Sequence, residues 1–171
     1  MRSPRFEDPR LFVVRAAELP LSGQALLDLM RAVLARGVPF RFRARGWSMA
    51  PFIRDGDVTT VSPLQGALPR VGDVVAFARP GTGNLVVHRV VARRSMGLLV
   101  QGDRMPEHTD GIVPAESLLG RVTRVQRDGR DVWLGLGPER YLIAWLSRTG
   151  LLTPLRVWLA SRLKPLLRRR G

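Results

Sequence analysis

The chain has 171 residues, of which 45% are hydrophobic; this suits one packed domain, with or without a tail, and excludes a wholly disordered chain. It contains no cysteine, which excludes a disulfide framework, a thiol nucleophile and any thiolate metal site. The net charge of +14 favours anionic partners: nucleic acid, acidic lipid or acidic protein.

Residues 1–10 read as a loose arm with no apolar h-region behind it, so no signal peptide is expected. No run approaches the ~18–20 apolar residues that span a bilayer, so the expected location is cytoplasmic or peripheral to a membrane. Residues 11–17 suit a short strand. A helix is predicted over 22–36, with Ser22 as N-cap and with Leu26, Leu29, Met30, Val33 and Leu34 on one face. Gly37 stands where a left-handed residue would end that helix. From residue 38 the texture changes. Phe40-Arg41-Phe42-Arg43-Ala44-Arg45 alternates strictly, which predicts a half-buried strand with its arginines in water. Further strands are predicted over 57–61, 71–79, 85–93, 97–101, 120–127 and 131–136, separated by Gly, Asp, Asn and Pro turns. Many short strands without βαβ alternation predict a mainly β fold, a sandwich or partly open barrel. The last part turns helical. A helix over 138–147 starts with Pro138 and groups Tyr141, Leu142, Trp145 and Leu146; a second begins at Thr153-Pro154 and is ended or kinked by Pro165. The expected organisation is therefore an arm and helix (1–37), a β-rich domain (38–137) and a basic amphipathic helical hairpin (138–171). Such a tail suits an anionic membrane surface, or else packs on the sheet with a solvated basic end.

Three Gly-Asp pairs recur: Gly56-Asp57, Gly72-Asp73 and Gly102-Asp103. For the first two, turn residues entering strands are the favoured reading. The scattered acidic residues and two histidines show no metal-ligand spacing, and Gly81-Thr82-Gly83 leads into a strand rather than a helix, so no cofactor motif is present. A serine nucleophile needs a base within hydrogen-bond reach. Lys164, the only lysine among 28 basic residues, lies in the tail and is a poor candidate. The remaining bases are His88, mid-strand in Val87-His88-Arg89-Val90, and His108, in a loop; by itself each suits a structural or solvated role.

Taken in order, Gly46-Trp47-Ser48-Met49-Ala50-Pro51, Gly56-Asp57, Gly72-Asp73-Val74-Val75-Ala76-Phe77, Val87-His88-Arg89-Val90, Gln101-Gly102-Asp103 and the following Asp110 resemble the type I signal peptidase family over about residues 40–125. The His-Arg element is similar to the endoplasmic-reticulum and archaeal branch, where histidine replaces the bacterial lysine. The resemblance implies a serine endopeptidase that cuts precursor peptides or proteins after small residues. It implies Ser48 as nucleophile, His88 as base, and Asp110 or Asp103 as the carboxylate orienting the imidazole, with Asp110 the better match. It implies that Gly46, Trp47, Met49 and Pro51 border the substrate, with the Ser48 N–H as one oxyanion donor. Bacterial members carry a hydroxyl two residues before the nucleophile as second donor; Gly46 holds that place here. Imidazole, with an unperturbed pKa of ~6.5, suits base chemistry near neutrality without the desolvation lysine needs.

The chain departs from that family in lacking a spanning helix ahead of Ser48. Either the tail attaches it to a membrane surface or the substrate is not secretory. The related self-cleaving repressors use lysine and carry a DNA-binding domain, and neither feature is evident. Two rival readings are a catalytically silent relative that binds extended peptide, and a basic nucleic-acid-binding β-domain. The second is disfavoured, because only Phe40-Arg41-Phe42-Arg43 interleaves aromatics with arginine.

Overall fold

A computed structural model of the chain describes residues 23–104, 109–149 and 151. The expected N-terminal arm and strand, the Ser22 cap, His108 and the second C-terminal helix lie outside the described residues.

Among the described residues the order is α1 (Gly23–Ala35), β1 (Phe40–Arg43), β2 (Val58–Ser62), β3 (Val74–Ala78), β4 (Leu85–Arg94), β5 (Gly97–Gln101), β6 (Thr109–Val113), β7 (Leu118–Arg127), β8 (Arg130–Asp131) and α2 (Arg140–Arg148). The fold is mainly β. One antiparallel sheet runs β1-β2-β7-β3-β4-β5-β6, with β8 paired to β7, and it is not closed into a barrel.

Strand β3 explains how the sheet makes two cores. All five of its residues are buried. Successive side chains alternate between faces, so Val74 and Ala76 go to one side, Val75 and Phe77 to the other. The first pair joins Val61, Val122 and Val125 beneath Met30 and Leu34 of α1. The second joins Val90, Leu98, Val100 and Val113. β1 alternates as its sequence requires, with both phenylalanines half-buried and both arginines exposed.

Several expectations are corrected. In α1 Met30 and Leu34 are buried as expected and Leu26 and Val33 are half-buried, but Leu27 completes the buried stripe and Leu29 is exposed, so the helix is turned somewhat from the expected face. Gly37 does terminate α1, at φ +76° with its N–H donated to the Leu34 carbonyl (2.9 Å). In α2 the buried residues are Ile143, Ala144 and Ser147, and Tyr141, Leu142 and Trp145 face water. Ile143 and Leu146 dock on Phe52, and the Ser147 carbonyl accepts from Gln101 (3.2 Å), which fixes the helix's rotation. The strand expected over 131–136 stops at Asp131. The chain turns instead through Gly135 (φ +100°), where a Cβ would stand 2.9 Å from Phe52. The region around Asp110, expected to be loop, contributes β6; Gly111 and its polar neighbours hid the strand pattern.

Two strand entrances share one device. Asp57 N–H donates to the Arg54 carbonyl (3.1 Å) and Asp73 N–H to that of Arg70 (3.0 Å), closing four-residue turns. Gly56 (φ +85°) and Gly72 (φ +94°) occupy the third position, where a type II turn demands positive φ.

Candidate active site

Segment 46–53 leaves β1 and winds through tight turns before β2. Ala50 N–H donates to the Trp47 carbonyl, and Phe52 and Ile53 N–H both donate to that of Met49 (3.1 Å each). Gly46 opens the segment at φ +90°, and its N–H is held by the Asp55 carboxylate (2.8 Å). Met49 is buried in the core cluster with Met30, Leu34 and Ile53. It anchors the turn from below, so it borders the core rather than an open substrate surface. Pro51, after a cis peptide bond, is half-buried. Trp47 and Ser48 stay exposed. An inward methionine beside an outward serine follows from the turn: its apolar members reach the core and its polar member faces out.

His88 comes from the middle of β4, opposite Val75 of β3. It is 7% exposed, and its ring lies 6.4 Å from that of Phe77, centroid to centroid. Burial on the apolar face leaves the imidazole few positions, and one of its two nitrogens has a hydrogen-bond partner. Nδ1 is hydrogen-bonded to Oδ2 of Asp110. Nε2 points to Gly102: a Cβ built on that glycine would stand 3.1 Å from Nε2, 3.3 Å from the Ser48 Cβ and 2.8 Å from the Ser48 carbonyl oxygen. The nucleophile and base expected from sequence thus border the same small space, which exists because residue 102 has no side chain. The Arg104 N–H donates to the Ser48 carbonyl (2.8 Å), tying the 102–104 segment to the serine turn.

Of the two aspartates expected at the imidazole, Asp110 reaches it and Asp103 does not. Asp103 is fully buried and takes two hydrogen bonds from Arg89, from Nε (2.9 Å) and Nη2 (2.7 Å). The remaining Arg89 nitrogen, Nη1, donates to the carbonyls of Gly72 and Gly135 (2.8 Å each). Arg89 also lies over the Phe52 ring, 5.5 Å from its centroid. Arg89 and Asp103 therefore pin β4, the 102–104 segment, the 132–137 turn and the serine segment together.

Asp110 is nearly as buried as Asp103, with its side chain 5% exposed, but its partners differ. Oδ2 takes the histidine and Oδ1 takes Nη2 of Arg79. Burial alone would push this carboxyl up; the hydrogen bond and charge of His88, followed by those of Arg79, outweigh it and hold the carboxyl below its ordinary value. An anionic Asp110 can only accept, so its contact calls for a proton on Nδ1; in the neutral form of the ring that leaves the lone pair on Nε2.

Sequence reasoning missed two residues. Arg79 ends a strand pattern in the sequence, and nothing around it signals a partner 31 residues on. Gly102 was read as part of a recurring pair; its ordinary φ, unlike that of Gly56 and Gly72, marks a glycine required for space. Among the described residues the Ser48 N–H has no acceptor, whereas the Gly46 N–H is taken by Asp55. Among the described residues no three His, Asp or Glu side chains gather to hold a metal ion, and no helix is long and apolar enough to cross a membrane.

Compared with protein-family models, with curated proteins and with solved structures, the chain finds no match.

Proposed function

We propose that the protein is a serine endopeptidase that resembles type I signal peptidases, with Ser48 as nucleophile and His88 as general base. The observation that carries this reading is the space at Gly102, bordered on one side by Ser48 and on the other by Nε2 of a histidine whose Nδ1 is held by Asp110. A buried imidazole with one nitrogen on a carboxylate and the other bordering the same small space as a serine supports nucleophilic acyl transfer, in which the serine hydroxyl turns into that space to meet Nε2. The Ser48 hydroxyl attacks the scissile carbonyl while Nε2 takes its proton. The tetrahedral oxyanion is met by the Ser48 N–H. The imidazolium then gives its proton to the departing amine, leaving an acyl-enzyme. Water, deprotonated by the same Nε2, releases the acid and restores the serine.

The proposed substrate is an extended precursor peptide cut after small residues, as the family resemblance implies. A membrane surface is the proposed second partner. Tyr141, Leu142 and Trp145 on α2 are exposed, as are Trp133 and Leu134 in the preceding turn and Leu151 beyond it. An exposed Trp- and Leu-bearing surface on a chain of net charge +14 suits an anionic bilayer interface.

The test is cleavage of a peptide panel with Ala-x-Ala sites, with and without anionic vesicles, by the wild type, Ser48→Ala and His88→Ala. Cutting that is lost in both variants supports the assignment. Equal cutting by all three proteins refutes it. A fold that binds these peptides without cutting them favours the silent relative.

A further inference from the structure

We propose that Arg79 is a positioning residue of this site: by holding Oδ1 of Asp110 it fixes the carboxylate so that Oδ2 receives the Nδ1–H of His88 and the Nε2 lone pair is left on the space at Gly102 that Ser48 also borders. The inference rests on the Ser48–His88 reading for its catalytic consequence, and on geometry alone for its structural part.

Asp110 stands where the backbone gives it little help. β6 pairs with β5 at Leu98↔Val113, Leu99↔Ile112 and Gln101↔Thr109, and the register shifts between Leu99 and Gln101. Asp110 and Gly111 fall within that irregularity, with Gly111 at φ +77°. Outside a regular ladder, the direction of the Asp110 side chain is set by what its two oxygens meet. One partner leaves a carboxylate able to rotate about its own bond; two partners on opposite oxygens fix its plane. His88 is the first of these and Arg79 the second.

Arg79 is well placed to be the rigid member. It follows the last residue of β3 and precedes Pro80. Its backbone is fixed in the hairpin: its N–H donates to the Asn84 carbonyl (2.8 Å) and its carbonyl accepts from Gly83 (2.9 Å). Its side chain is 42% exposed, against 5% for Asp110 and 9% for His88, so the guanidinium closes the carboxylate off from water. Without it, water would compete for Oδ1, and reorientation of the carboxylate would release Nδ1. The imidazole could then place its proton on Nε2, where it cannot accept one from Ser48. A guanidinium stays charged throughout the working pH range and so holds this arrangement permanently.

The experiment uses the full chain labelled with 15N. Histidine ring spectra are recorded at mildly alkaline pH, where imidazole is neutral. The sequence holds two histidines, so His108→Gln identifies the His88 signals. The wild type should show the Nδ1–H tautomer. Arg79→Gln should show a mixture while keeping a folded spectrum. Arg79→Lys should restore the wild-type pattern, since only Nη2 makes the contact. In parallel, the rate at which a fluorophosphonate probe acylates Ser48 should fall at least about tenfold in Arg79→Gln, less than the roughly 10²–10⁴-fold carried by a general base itself, and should recover in Arg79→Lys. An unchanged tautomer in folded Arg79→Gln overturns the proposal. If wild-type Ser48 takes no label, the protease reading fails separately, and the tautomer populations still decide for or against Arg79.

Discussion

Asp103→Asn separates a structural carboxylate from a catalytic one. Both side chains of the Arg89–Asp103 pair are fully buried. The guanidinium makes four hydrogen bonds, two of them to the aspartate at 2.9 and 2.7 Å. Asparagine keeps the shape and loses the charge. It can accept one of those two bonds, and its NH2 group then confronts a guanidinium N–H, donor against donor. The guanidinium stays charged in a fully buried place. Breaking a buried pair by removing one partner costs about 3–5 kcal/mol. Total stability of a domain is only about 5–15 kcal/mol, so this single atom change removes a large part of it. At roughly 2–4 °C per kcal/mol for a chain of this size, the melting temperature should fall on the order of 10 °C.

Urea unfolding followed by tryptophan fluorescence measures the loss directly. Asp110→Asn provides the contrast, because the charged partner it would leave behind, Arg79, has a half-exposed side chain that solvent can reach, unlike the fully buried Arg89. The expected outcome is a steep stability loss with Asp103→Asn and a loss of Ser48 reactivity out of proportion to stability with Asp110→Asn. If Asp103→Asn costs under about 1 kcal/mol, the range of an ordinary surface ion pair, the reasoning about the buried pair is wrong. If it leaves stability intact but abolishes acylation, Asp103 belongs to the chemistry after all.

Three further outcomes are expected. Gly102→Ala places a Cβ 2.8 Å from the Ser48 carbonyl oxygen and 3.1 Å from Nε2, so the serine turn must shift; misplacement of about 1 Å can cost 10²-fold in rate, and an alanine variant acylated at the wild-type rate would refute the role given to this space. Asp110 has a folded pKa held below its unfolded value of ~3.9, so its contribution to stability is fully present above that value and is lost as pH falls through the folded one; urea midpoints measured across the acid range should drop less steeply in Asp110→Asn, and identical slopes would contradict the assignment. Leu142→Ser with Trp145→Ser, at positions 58% and 55% exposed, should leave the melting temperature nearly unchanged; if α2 faces a bilayer, loss of about 1.5–3 kcal/mol per apolar side chain lowers partition onto anionic vesicles at least tenfold, and unchanged sedimentation with vesicles would exclude this face.

What the sequence disclosed, and what it hid, divides along physical lines. Period-2 patterns were legible where one face meets water, as in Phe40-Arg41-Phe42-Arg43, and apolar runs were legible as buried strands, as in Val74 to Ala78. Helices were found, but their rotation was not. The stripe Leu27, Met30 and Leu34 and the stripe containing Leu29 are nearly equivalent in α1, and only the partner surface chooses between them. In α2 the largest apolar side chains are the exposed ones, which hydrophobicity alone cannot anticipate. β6 was hidden because an irregular pairing with a positive-φ glycine breaks the alternation. The serine, the histidine and the better-matched aspartate were named from a resemblance. Their approach in space depends on Gly102, whose contribution is an absent atom, and on Arg79, whose partner lies on another strand.

The recurring Gly-Asp pairs show how one sequence signal can serve two purposes. At Gly56-Asp57 and Gly72-Asp73 the glycine supplies positive φ and the aspartate accepts the N–H three residues back, from Arg54 (2.8 Å) and Arg70 (2.9 Å). At Gly102-Asp103 the glycine supplies room. All three aspartates are nevertheless buried, and each has arginine for company: Asp57 with Arg127 at 2.7 Å, Asp73 between Arg121 at 3.6 Å and Arg140 at 3.5 Å, Asp103 with Arg89 at 2.7 Å. Arginine is suited to this because it remains charged at any working pH and offers several donors in one plane. Such a pair can hold a fold. Asp110 follows a threonine instead of a glycine, and it divides its oxygens between an arginine and an imidazole. Histidine is the one partner in this set that can change its proton count near neutrality. Arginine-paired aspartates therefore hold the scaffold in this protein, and Asp110 differs from them, among the described residues, in giving one of its oxygens to an imidazole.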